Sequence, residues 1–182
     1  MAQRKILLYP REEARLRKKS VRVKKLDAAT KALIKDMKDT LATQPGAGMS
    51  AVQVGVHQRI SLCCFGQGQG EMQPPVVLIN PEITERGPLV SGFDGCLSIP
   101  GLVTWDTLRP EWLVVSARDE HWQPVELRVE GIDARVVDHE FDHLEGRLFL
   151  DLMGPDMHLF HSETDEDGDE RLVEIRGPGQ RP

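Results

Sequence analysis

The stretch His139-Glu140-Phe141-Asp142-His143 constrains this chain more than any other, because two imidazoles four residues apart share a face only if the segment is helical. On that face they suit the roughly 2.0–2.1 Å bonds of a metal held by two histidines, with the intervening Glu140 beside the ion rather than on it. Ile132, Val136, His139 and His143 fall at offsets 0, +4, +7 and +11, so the histidines are expected to continue an apolar stripe that faces inward. A single histidine on an apolar face is more often a core residue bonded to the backbone. The whole HExxH pattern is rarer, arising by chance in on the order of one chain in a hundred of this length.

With 182 residues, 40% hydrophobic and 29% charged, the chain suits one globular domain with a sizeable core. No apolar run approaches the ~20 residues of a membrane helix, so no membrane partner is expected. Met1 to Pro10 has no signal-peptide h-region; Ile6-Leu7-Leu8-Tyr9 reads instead as a short strand, and a cytoplasmic location is expected. Three cysteines, with Cys63 and Cys64 adjacent, do not form a secreted disulfide framework, and reduced thiols are expected. Residues 1–25 carry ten Lys/Arg against two Glu, which leaves 13 basic (23 − 10) and 27 acidic (29 − 2) residues for the rest. That basic segment reads as a solvated face. Without interleaved aromatics or a phosphate-binding loop, no specific nucleic-acid partner is expected.

Arg11 to Lys25 reads as loop with some helical turns. Asp27 is a candidate N-cap for a helix to about Thr43, with Leu33, Ile34, Met37 and Leu41 at helical spacing and a stop at Pro45-Gly46. Gly46 to Gln53 combines glycines and small residues that let backbone approach another group closely. Ile60 to Cys64 alternates as a strand, which makes Cys63 and Cys64 core residues. Gly66 to Pro75 reads as a flexible connection, and Val76 to Ile79 as a strand that ends at Asn80-Pro81. In Asp94 to Gly101, Cys96 is bracketed by turn formers and so held in one orientation. Trp112–Ala117 and Val125–Val129 form a hairpin pattern, and the histidine helix is expected to stop at Gly146. Glu163 to Glu170 carries six acids and no base and reads as a solvated tail, followed by a short strand at Leu172 to Ile175. The fold expected is α+β, with antiparallel strands packed around the central HExxH helix. Residues 1–153 form the catalytic domain and 154–182 an acidic tail.

A catalytic tetrahedral site usually needs three protein ligands and an open position. The third candidates are Cys96, a carboxylate after the helix such as Glu145, or a downstream histidine, His158 or His161. Cys96 has the most rigid setting, and as a thiolate it would be a strong ligand.

From Ile6 to Met153 the sequence resembles the peptide deformylases. Gly46 to Gln53 matches their GxGxAAxQ motif, Asp94 to Ser98 their EGCxS motif, and His139 to His143 their HExDH motif, in the family's order. The resemblance implies removal of the formyl group from the N-terminal methionine of newly made polypeptides. It implies that Cys96, His139 and His143 bind one divalent metal, usually Fe2+ in the cell and often Ni2+ or Zn2+ in preparations. Glu140 would be the general acid/base, and the Gln53 amide with the Leu97 N–H would form the oxyanion hole. Backbone around Gly46 and Gly48 would pair with formyl-methionyl peptides and nascent chains as an added strand. Val136 and the face of His139 are the expected wall of the methionine pocket.

Three departures from the family pattern stand out. Ser50 replaces the first alanine of the glycine motif. Asp94 replaces glutamate, which brings its partner closer, with Arg109 as candidate. Gly101 to Thr104 lacks the arginine that often follows the cysteine motif. Some relatives dock on the ribosome through a basic C-terminal helix; the acidic tail departs from that pattern, leaving a transient ribosome contact as the remaining partner expectation. Two other readings share the HExxH motif or the fold: a metallopeptidase using His158, and a deformylase-like binding module without turnover.

Overall fold

Asp27 opens the first long helix as the sequence predicts. Its carboxylate accepts from the Thr30 N–H and hydroxyl, both at 2.9 Å, which satisfies a donor that every helix start leaves orphaned. The computed structural model describes residues 3–66, 73–164 and 170–176. Through them run α1 (Glu13–Leu16), α2 (Ala28–Leu41), β1 (Gly48–Ser50), β2 (Ile60–Cys63), β3 (Val76–Arg86), β4 (Leu89–Cys96), β5 (Ile99–Pro110), β6 (Trp112–Arg118), β7 (Pro124–Glu130), α3 (Gly131–Leu144), β8 (Leu159–Thr164) and β9 (Glu170–Arg176). Short 3-10 turns span Ala51–Val54 and Phe149–Leu152. The strands pair antiparallel in two sheets, ordered β1-β2-β3-β6-β7 and β4-β5-β8-β9, so the α+β class read from the sequence is the observed one.

The first sheet is covered on both faces. α2 buries Leu33, Ile34, Met37 and Leu41 against Met49, Ile60, Leu62, Val77 and Ile79. On the other face α3 places Ala134 and Val137 against Cys63, Leu78, Leu113, Val115 and Val129. Burying each large apolar side chain is worth about 1.5–3 kcal/mol, so packing stabilises α2 more than its cap does. Double coverage also explains why β2 is buried at every position, with Cys63 in the core and Cys64 buried one residue beyond the strand.

Several expectations need correction. Ile6 to Tyr9 is not a strand: the Leu7 N–H donates to the Gln53 carbonyl and the Tyr9 N–H to the Ser98 carbonyl, both at 2.8 Å, so its donors serve two separate loops and build no ladder. β3 does not stop at Asn80-Pro81. Asn80 takes a left-handed φ of 54°, which asparagine tolerates, and the strand continues to Arg86 past a register shift. Ile132 is 36% exposed, so the inward stripe of α3 begins further along the helix, at Ala134. The largest omission is β4 and β5.

Other expectations agree with the structure. The hairpin is β6–β7, with Ala117 opposite Val125. α3 ends before Gly146, whose φ of 78° is a left-handed terminator. Half of the ten basic side chains of residues 1–25 make ion pairs among the described residues: Arg4 with Asp36, Lys5 with Glu12, Arg17 with Glu13 and Asp151, Lys19 with Glu145, and Arg22 with Glu82. The short C-terminal strand lies within β9, while β8 pairs Leu102 with His161 and Val103 with Phe160. Much of the acidic stretch and of the flexible connection, residues 165–169 and 67–72, lies outside the described residues. No helix among the described residues is long and apolar enough to cross a membrane.

Replacing Asp27 with alanine removes only the cap. Stability should fall by about 1 kcal/mol, seen as a lower urea midpoint with an unchanged m-value.

Candidate metal centre

His139 and His143 lie on the face of α3 turned towards the interior, 9% and 1% exposed, with ring centroids 4.9 Å apart. Cys96 ends β4 immediately before the two-residue turn into β5 and brings its sulfur to 3.2 Å from His143 Nε2. Ligand atoms of Cys96, His139 and His143 all lie within 4.8 Å of one another. The competing third ligands are engaged elsewhere. Glu145 pairs with Arg59 and Lys19, and His158 Nδ1 lies 2.7 Å from Asp106 Oδ2. His161 lies beside Glu163 and packs near Gly101.

A buried ionic network sets the orientation of this group. His139 Nδ1–H donates to Asp94 Oδ1 at 2.7 Å, which directs Nε2 away from the carboxylate. The other Asp94 oxygen accepts from Arg109 Nε at 2.7 Å, the pairing expected from the sequence. Arg109 is fully buried, and its Nη1 reaches Asp138 at 2.8 Å and Asp142 at 2.9 Å. Arg135 donates to the carbonyls of Val90, Gly92, Phe93 and Thr107, which fixes β4 against β5 around the register shift beside Asp94. Sequence reasoning did not single out Asp138, Asp142 or Arg135. A usable signal was present: Asp138 and Asp142 are four apart and so share the helix face that meets Arg109.

The remaining candidates surround this centre. Gln53 is buried in the turn after β1; its Oε1 accepts from the Ser50 N–H at 2.8 Å, and its Nε2 lies 3.6 Å from Cys96 Sγ and 3.2 Å from Ser98 Oγ. A Cβ on Gly46 would stand 3.0 Å from the Leu97 side chain, which places the glycine strand alongside the cysteine turn. Among the described residues the Leu97 N–H donates to no acceptor. Val136 is half-buried and packs with the cluster of Cys63 and Val137.

Burial and neighbouring charges set the protonation states. Glu140 is pushed up to about 7 by burial, opposed by His139 and by a hydrogen bond from Ser50. Burial, then the charges of His139 and Arg109, hold His143 well below the usual imidazole range, in the neutral form a metal ligand needs. Burial opposes charge on His139 as well, but Asp94 outweighs it and raises this imidazole well above its ordinary value. A cation on Nε2 would take the place of that proton. His143 Nδ1 is buried with no partner among the described residues, so the ring's hydrogen-bond contact is the one Nε2 makes with Cys96 Sγ. One thiol and two imidazoles form a donor set suited to Fe2+, Zn2+ or Ni2+.

Antiparallel sheets around a helix that carries two metal-ligating imidazoles, with a buried carboxylate between them and a sulfur from a facing strand, define a metallohydrolase. The family model described as Polypeptide deformylase matches residues 3–157. A peptide deformylase of Alkalilimnicola ehrlichii is 41% identical over 148 residues, covering 81% of this chain and 80% of that protein. Among solved structures, a peptide deformylase from Legionella pneumophila is 38% identical with a TM-score of 0.74, covering 85% of this chain and 88% of that one. That of Ehrlichia chaffeensis in complex with actinonin is 33% identical with a TM-score of 0.77, covering 85% and 90%. The chain belongs to the polypeptide deformylase family.

Arg109→Met would leave three carboxylates facing one another without their common cation. Breaking such a buried pair costs about 3–5 kcal/mol, or roughly 6–20 °C in Tm for a chain of this size. Scanning calorimetry should show that drop, and an unchanged Tm would contradict the structural weight given to the network.

Proposed function

We propose that the chain hydrolyses the N-formyl group of formyl-methionyl polypeptides, with Cys96, His139 and His143 holding one divalent metal, Fe2+ in the cell and replaceable by Zn2+ or Ni2+. The observation that carries this reading is the meeting of Cys96 with both imidazoles beside Glu140 in a chain of deformylase ancestry. When bound, the metal acts as a Lewis acid and lowers the pKa of water towards ~7.

Every other step falls to the chain's own side chains. Glu140, buried and near pH 7 in affinity for protons, takes a proton as the water oxygen adds to the formyl carbon. Gln53 Nε2 and the Leu97 N–H donate to the formyl oxygen as negative charge develops there. Glu140 then returns the proton to the leaving nitrogen, the C–N bond breaks, and formate and a free amino terminus result. β1 is an edge strand, so its backbone at Gly48, with that of Gly46 just before it, is available to pair with an extended substrate. Val136 and the ring of His139 wall the methionine side chain. Residues 1–153 are the catalytic unit, and the 154–182 segment is an appendage whose strands extend the second sheet through β5. Action on nascent chains implies a cytoplasmic location and transient ribosome contact.

The metallopeptidase reading needs His158 as third ligand, but the ligand atoms that lie within 4.8 Å of one another are those of Cys96, His139 and His143. Cys96→Ala should therefore release the metal and His158→Ala retain it, as read by metal analysis after dialysis; the reverse pattern would sink the assignment. Activity is tested by formate release from formyl-Met-Ala peptides with iron-loaded protein kept free of oxygen, since ferrous–thiolate sites oxidise. Glu140→Gln should keep its metal and lose about 10²–10⁴-fold in turnover, the usual contribution of general acid–base catalysis. Wild-type rates from that variant would contradict the mechanism.

A further inference from the structure

β1 meets the Glu140 carboxylate at both oxygens. A Cβ on Gly48 would collide with Oε1, so the strand passes this oxygen only where no side chain exists. Two residues on, and so on the same face of the strand, the fully buried Ser50 donates its hydroxyl proton to Oε2 at 2.7 Å. The Glu140 main-chain carbonyl lies 2.9 Å from the same Oγ, so both acceptors open to this hydroxyl on α3 belong to one residue. Ser61, the register partner of Ser50 on β2, has its Oγ 3.0 Å away. Its proton can fill the acceptor side of Ser50 while Ser50 gives its own to Glu140. Among the described residues no donor reaches Oε1.

We propose that Ser50 is a positioning residue for Glu140: its hydroxyl pins Oε2 and so presents Oε1 as the oxygen that collects and returns the proton. The inference rests on the reading of Glu140 as the general acid/base. A free carboxylate rotates and offers either oxygen, and much of its time is spent in orientations that do not transfer a proton. Tying one oxygen to a strand held by the β1–β2 ladder removes that freedom. Gly48 leaves the other oxygen room. The glycine motif that the chain matches carries alanine at position 50, so the fold tolerates loss of the hydroxyl and Ser50→Ala is a probe of orientation rather than of folding.

The test is steady-state formate release by the metal-loaded full chain. Ser50→Ala should lower kcat about tenfold, the size expected for losing a hydrogen bond to a charged group, with KM and metal content unchanged. In a Glu140→Gln background the same substitution should cost nothing further, because the group it positions no longer carries protons. Ser50→Thr, which keeps the hydroxyl, should recover most of the rate; if the added methyl unfolds the chain, Ser61→Ala replaces it and should lower kcat by less than Ser50→Ala. A wild-type kcat in Ser50→Ala, a loss confined to KM, or an equal fractional loss in both backgrounds would overturn the proposal. Absence of formate release from metal-loaded wild type would instead overturn the assigned reaction, and this inference with it.

Discussion

A guanidinium shut away from water governs the architecture of the centre. Moving a charge out of solvent costs several kcal/mol even after relaxation, so Arg109 is tolerable only because Asp94, Asp138 and Asp142 converge on it. Those carboxylates come from β4 and α3, and their meeting point fixes where the helix sits against the second sheet. The same Asp94 that compensates Arg109 orients His139.

This network also explains which parts of the fold were legible in the sequence. α2 and the β6–β7 hairpin follow ordinary patterning, since each turns an apolar face to a core and its period predicts it; α3 is marked by the spacing of its histidines, and its buried residues include Arg135, Glu140 and Asp142. β4 and β5 invert that pattern. Apart from Ile99 and Pro110 at the two ends of β5, their buried positions are Asp94, Thr104, Thr107 and Arg109, while Leu89, Phe93, Trp105 and Leu108 are exposed. A strand whose inner face meets a polar network rather than a core cannot be found from apolar alternation.

The site was legible to a similar depth. Helical spacing alone pairs His139 with His143 and places Glu140 beside them. Cys96 stands 43 residues upstream of His139 (139 − 96), so spacing left Glu145, His158 and His161 open, and only the resemblance of the cysteine motif selected the sulfur. Ser50 was noted as a departure near the site, yet its contact with Glu140 depends on the β1–β2 register, which no local pattern encodes.

The extended segment at Ile6 to Tyr9 has a wider consequence. Two of its amide donors, those of Leu7 and Tyr9, end on Gln53 and Ser98, one in the turn after β1 of the first sheet and the other in the turn after β4 of the second. It is a suture across the seam between the sheets, and both edges of that seam carry groups that surround the sulfur. A proteolytic nick between Leu7 and Tyr9 would leave every reacting side chain on an intact stretch of polypeptide and still let the two lips of the cleft drift apart.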